Sequence, residues 1–114
     1  MPPNVPKRPS RRTPRTILRA LDDIGTGVSG WRKLRGLTQA QLADRAGVDR
    51  KTVQRLEKGD GGVSIENLLR VLRALGILDE LPRALDPYES DIGRLRSDEQ
   101  LPRRVRPTRL SDDG

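Results

Sequence analysis

Residues Gln39 to Lys58 read QAQLADRAGVDRKTVQRLEK, and the stretch describes two short helices separated by one tight turn. Thr38 stands just before it and Gln41 three residues later. That is a Thr-x-x-Gln capping box, in which the hydroxyl accepts from the Gln41 amide and the Gln41 side chain reaches back to the Thr38 amide. Leu42, Ala43 and Ala46 follow as an apolar stripe, and Gly47 can end the helix in the left-handed conformation without a Cβ penalty. Asp49 stands at the N-cap position of the next helix, whose inner face is set by Val53 and Leu56 together with Val48. Its outward face then carries Arg50, Lys51, Gln54, Arg55 and Lys58, donors suited to phosphates and base edges.

Two helices crossing steeply need a small residue where their backbones approach, and Ala43 meets that need, with Val53 as apolar anchor in the following helix. The full run LTQAQLADRAGVDRKTVQRLEKG, Leu37 to Gly59, resembles the lambda-repressor-like, or Xre-type, helix-turn-helix family. The likeness extends from Ile24 to Leu78, since SIENLLRVLRALG is similar to that family's fourth helix. The plainer reading of the same residues is a four- or five-helix bundle with a basic exposed face. The resemblance implies an all-α fold, a compact four- to five-helix helix-turn-helix domain. It also implies that the first helix ends before Gly36 to Gln39 and packs across the second and third, with Arg32 pairing Glu57. Helix 49–58 is then expected in the major groove of double-stranded DNA, with Arg50, Lys51 and Thr52 near base edges and Gln54 and Arg55 one turn on. Gln39 would hold a phosphate beside the helix-terminal amides, and Lys58 completes the candidate DNA-binding set.

Composition narrows the alternatives. The chain has 114 residues, 32% of them hydrophobic and none of them Phe, which suits one small aliphatic core plus tails. A single Trp and a single Tyr exclude an aromatic platform for single strands. There is no Cys and no His, so disulfides, thiolate chemistry and an ordinary zinc site are excluded and no cofactor or metal is expected. No apolar run approaches the roughly 20 residues that span a bilayer. The expectation is a cytoplasmic protein, associated with the nucleoid through DNA.

The net charge of +7 is uneven. Residues 1–19 hold six basic and no acidic side chains, residues 20–85 eleven and nine, and residues 86–114 six and seven. Attraction to a polyanion at long range therefore sits mainly at the N-terminus. Residues 1–15, MPPNVPKRPSRRTPR, hold five prolines and five basic residues and cannot bury enough to order themselves, so they are expected to form a flexible arm that follows phosphates or enters a minor groove, or else a solvated leader.

Residues 16–86 are the expected domain. Ile17, Leu18, Leu21 and Ile24 give a one-sided helical stripe, and Gly25, Gly27 and Gly30, each costing about 1 kcal/mol in a helix, are expected to break it before Val28, Trp31, Leu34 and Leu37 turn to the core. Ser64 caps a helix whose buried stripe is expected to be Ile65, Leu68, Leu69, Leu72 and Leu75. Gly76 ends it, and Asp79 starts another with Pro82 in its first turn. The apolar surplus of Val71, Ala74, Leu78, Leu81 and Leu85 is either a homodimer surface or a larger intramolecular core.

Residues 87–114 are expected as a flexible tail with isolated apolar residues. DPYESDIGRLR and LPRRVRP within it resemble the tails of small actinobacterial regulators of the same family, some of them HipB-like antitoxins paired with HipA-like kinases. That resemblance keeps a second reading open, an antitoxin that neutralises a toxin or kinase-like partner and represses its own operon. An enzyme ranks third: the pairs Asp22-Asp23, Asp79-Glu80, Asp98-Glu99 and Asp112-Asp113 stand where capping and solubility explain them. Gly25, Gly27 and Gly30 spell Gly-x-Gly-x-x-Gly without a strand before them.

Overall fold

A computed structural model describes residues 12–100, which are helical with connecting turns and divide into two compact units between Leu78 and Asp79. The first contains α1 (Arg15–Leu34), α2 (Gln39–Ala46), α3 (Arg50–Glu57) and α4 (Ile65–Leu75). α1 and α2 each pack against α3, and α4 packs on α2. Leu42, Ala46, Val53, Val71 and Leu75 are buried at the centre of this unit, with Val28, Leu37, Ala43, Leu56 and Leu72 around them.

All four helices stop in the same way. Gly36, Gly47, Gly59 and Gly76 each follow a helix with positive φ, and after each the next amide bonds back five residues: Leu37 N to Arg32 O at 3.1 Å, Val48 N to Ala43 O at 3.0 Å, Asp60 N to Arg55 O at 3.0 Å and Ile77 N to Leu72 O at 2.9 Å. This is the Schellman arrangement, which satisfies orphan carbonyls at the helix end. It converts four glycines in the sequence into four sharp changes of direction. Starts are more varied. Thr38 makes the whole capping box and Ser64 accepts from Asn67 N, whereas Asp49 and Asp79 occupy N-cap positions without a side-chain cap bond.

α1 departs from expectation. It runs unbroken through Gly25, Gly27 and Gly30 and begins at Arg15, after Pro14, one residue inside the stretch expected as an arm. The Gly-x-Gly-x-x-Gly spacing thus lies within a helix, with no turn at which a phosphate could be cradled. Gly25 is buried because α1 and α3 touch there: a Cβ on it would lie 2.6 Å from the Glu57 carbonyl oxygen and 2.7 Å from that of Leu56. The packed face of α1 is accordingly Leu21, Gly25, Val28 and Arg32, spaced four, three and four residues apart.

Trp31 and Leu34, expected at the core, are 39% and 78% exposed. They lie off the packed face, and Trp31 instead carries the Arg35 guanidinium 5.2 Å above its ring. Arg35 Nε also donates to the Leu75 carbonyl at 3.0 Å, tying the end of α1 to the end of α4. Ile65 is likewise corrected to the surface at 71% exposure, being the first residue of α4. Val71, which the sequence places in an apolar surplus, is wholly buried in the core.

The second unit contains α5 (Glu80–Ala84), a 3-10 turn at Pro87–Glu89 and α6 (Asp91–Gln100). Residues 87–100, expected as tail, therefore carry helix. Ser90 Oγ accepts from Gly93 N at 2.9 Å to start it, and Arg94 donates to Asp91 and to the Tyr88 carbonyl. Gly93 permits the tight return, since a Cβ there would meet the Pro87 carbonyl. The remainder of the tail and arm residues 1–11 lie outside the described residues.

Candidate nucleic-acid interface

The candidate surface is the outward side of α3. Val53 and Leu56 are buried three residues apart on one face, with Glu57 beside them, so the opposite side of the helix points away. Arg50, Lys51, Arg55 and Lys58 are exposed, and Thr52 and Gln54 are half-buried at the edge of that face. The turn that leaves α2 through Gly47 fixes the angle at which this face is presented, since Gly47 N bonds to Asp44 O and Val48 N to Ala43 O. Six of the seven expected residues are thereby brought together on α3 and its C-cap. The seventh, Gln39, opens α2.

A part-buried polar hub holds α3 from behind. Glu57 accepts from Arg32 Nε at 2.7 Å, from Arg32 Nη2 at 3.1 Å and from Gln39 Nε2 at 2.9 Å. Arg32 Nη1 donates to the Leu37 carbonyl at 3.0 Å, so one guanidinium spans α1, α3 and the turn before α2. The side chains of Arg32 and Glu57 are only 13% and 7% exposed. The forked geometry and low exposure make this pair unlike an ordinary surface bridge. The carboxylate hydrogen bond also holds the guanidinium's pKa above its usual value, against a smaller opposing effect of burial. Gln39 opens α2 and commits one amide hydrogen to Glu57, which leaves its second for a ligand.

Arg55 is also engaged. Its Nε donates to Asp60 Oδ2 at 2.7 Å, and Asp60 Oδ1 accepts from Gly62 N at 2.7 Å. The Arg55 hydrogen bond, followed by that of the Gly62 amide, holds the Asp60 carboxyl below its ordinary value, and the same partner raises Arg55. A carboxyl depressed in the fold contributes stability that is present above its unfolded pKa of about 3.9. That contribution fades as pH falls through the lower, folded value. Both groups are exposed, so the effect on global stability is small, and the Gly62 amide is the sensitive reporter. Its chemical shift in an acid titration is expected to move with a midpoint below that of a free aspartate; a midpoint at the free value would mean that the clamp is absent in solution.

The sequence alone assigns Asp60 only to a turn and Gly25 only to a helix break. The first role is detectable in part, since Asp60-Gly61-Gly62 is the pattern of a side chain that accepts two residues on. The second has a signal in the spacing, because Gly25 stands four residues after Leu21 and three before Val28, on the packed stripe itself. Among the described residues there is no cluster of three or more His, Cys, Asp or Glu that could hold a metal ion. Nor is any helix among them long and apolar enough to cross a membrane.

Comparison with known proteins agrees with this architecture. Residues 31–80, from the last turn of α1 through α4, match the family described as Helix-turn-helix. Through this segment the chain is similar to that helix-turn-helix family, over less than half of its length. Over 45 residues, 40% of its length, it is 51% identical to an "Uncharacterized HTH-type transcriptional regulator" of Methanothermobacter thermautotrophicus. The match covers 65% of that archaeal protein.

Proposed function

We propose that this protein is a sequence-specific double-stranded DNA-binding transcription regulator that lays α3 in the major groove and represses by covering a promoter. The observation that carries the reading is the division of α3 into two sides. Val53, Leu56 and Glu57 are held by the fold, while Arg50, Lys51, Arg55 and Lys58 face solvent on the same helix. Arg50, Lys51 and Thr52, in the first turn, come nearest to base edges, with Gln54 and Arg55 one turn on. Lys58 and the free amide hydrogen of Gln39 serve phosphates. The setting is a cytoplasmic one, with no cofactor needed for binding.

Arm and helix separate by their physics. Deleting residues 1–11 removes Lys7, Arg8 and Arg11 and is expected to weaken binding to every duplex, flattening the salt dependence by about 0.9 in logarithmic slope for each phosphate the shortened protein no longer neutralises. Arg50→Ala is expected to cost about 1–3 kcal/mol on a duplex selected by the protein and much less on a scrambled one. Titrations of the three proteins against both duplexes at several salt concentrations measure this. Equal losses on the two duplexes for Arg50→Ala would remove it from base reading.

A homodimer is the proposed binding form, and Leu85, large, apolar and 75% exposed, is its first candidate contact, with Leu78 and Leu81. Sedimentation at micromolar concentration is expected to give a dimer that Leu85→Asp shifts toward monomer. A wild-type monomer, with or without selected DNA, would refute it. The antitoxin reading is favoured by Ile92 and Leu95, exposed one turn apart on α6, where a protein partner could cover them. Co-purification with the product of an adjacent toxin or kinase-like gene, abolished by Ile92→Asp, is its test.

A further inference from the structure

Asp60 stands just beyond α3 and belongs to none of the roles above. Its three bonds form a closed device: Asp60 N to the Arg55 carbonyl at 3.0 Å, Arg55 Nε to Asp60 Oδ2 at 2.7 Å, and Gly62 N to Asp60 Oδ1 at 2.7 Å. The residue is therefore fixed by α3's own backbone on one side and by the turn on the other, and it passes that fixity to the arginine. Gly62 belongs to the device, because a Cβ there would lie 2.9 Å from Arg55 Nη2, in the space the guanidinium uses. Among the described residues, neither Nη of Arg55 has a hydrogen-bond partner.

We propose that Asp60 is a positioning residue for base recognition: by holding Nε of Arg55, it turns the two terminal nitrogens into a fixed fork for the O6 and N7 acceptors of a guanine. This rests on the reading of α3 as the recognition helix. Two considerations favour a base over a phosphate. An exposed ion pair adds little stability, and Arg55 and Asp60 are 44% and 41% exposed, so orientation is what the pairing supplies. A phosphate contact also runs on charge, which the carboxylate offsets, whereas a guanine edge is neutral and rewards two aligned donors. A side chain ordered before binding loses less freedom on binding.

The test is selection from a pool of randomised duplexes by the full-length protein and by Asp60→Asn, Arg55→Lys and Arg55→Ala, followed by sequencing. The wild-type motif is expected to contain a guanine whose preference falls about five- to a hundredfold in all three variants, while other positions keep theirs. Asp60→Asn is also expected to bind scrambled duplex more tightly, with a steeper salt dependence, because one negative charge is gone. The Arg55 Nε–H resonance is expected to be slow to exchange with water in the wild type and fast in Asp60→Asn. A guanine preference that survives in Asp60→Asn but not in Arg55→Ala overturns the role of Asp60. Uniform loss at every position in Asp60→Asn reduces that role to structure and also overturns it. If Asp60→Asn fails to fold, Asp60→Glu decides, since it keeps the charge but displaces the carboxylate from Arg55 Nε: the guanine preference is expected to fall there too, and an unchanged preference overturns the role of Asp60. A wild-type protein that enriches no motif at all refutes the recognition reading itself.

Discussion

Glu57→Ala is expected to lower folding stability by about 3 kcal/mol or more, and Arg32→Ala by a similar amount, because each leaves a largely buried charge without its partner. For a domain of this size that corresponds to a fall in Tm on the order of 12–24 °C. The two variants leave different remainders. Without Glu57, Arg32 keeps only the Leu37 carbonyl, and Gln39 loses its acceptor as well. Without Arg32, Glu57 keeps only the Gln39 amide. The double variant Arg32→Leu with Glu57→Leu is expected to recover a good part of the loss, since replacing a buried pair with apolar side chains removes the desolvation cost along with the attraction. Thermal and urea melts of the four proteins measure this, and the double variant Arg32→Ala with Glu57→Ala closes the cycle that gives the coupling energy. Single variants that melt with the wild type would mean that the hub is solvated in solution.

Gly25→Ala is the second large effect, and it sets two known tendencies against each other. Alanine is favoured over glycine in a helix interior by about 1 kcal/mol. The new Cβ, however, would meet the Leu56 and Glu57 carbonyl oxygens and the Glu57 carbonyl carbon at 2.6 to 2.9 Å, and these are backbone atoms with no side-chain torsion to release them. α1 must move away from α3, which is expected to cost about 1–3 kcal/mol net and to pull Arg32 off Glu57. Gly27 and Gly30 supply the control within the same helix. Nothing lies within 4 Å of a Cβ at either, so Gly27→Ala and Gly30→Ala are each expected to stabilise by about 1 kcal/mol. Opposite signs in chemical denaturation are the expected result, and a Gly25→Ala protein as stable as Gly27→Ala would show that the helices do not approach so closely.

These glycines also mark where the sequence is and is not legible. Thr38, Gln41, Gly47, Ser64 and Gly76 are readable because caps and helix ends are settled within a few residues of the chain. The pairing of Arg32 with Glu57, 25 residues apart, follows from family resemblance and not from local spacing. Gly25 misleads because propensity counts only the cost of a missing side chain, whereas a neighbouring helix decides whether one could fit. Trp31, Leu34 and Ile65 look internal because an apolar side chain at helical spacing fits a stripe, but α1 and α4 each bury one face and leave those positions beside it. Asp60 escapes a sequence reading because its partner is fixed only once α3 has ended and the chain has turned back.

The hub behind α3 has a consequence for how such a protein can change. The side chains that hold the helix, Val53, Leu56 and Glu57, are turned into the fold, whereas Arg50, Lys51 and Arg55 meet solvent. Substitutions in the second group leave the first undisturbed, so each can be exchanged at little cost in stability. The domain is in this sense a chassis with replaceable teeth: a new binding preference can be reached one exposed residue at a time, through intermediates that all remain folded.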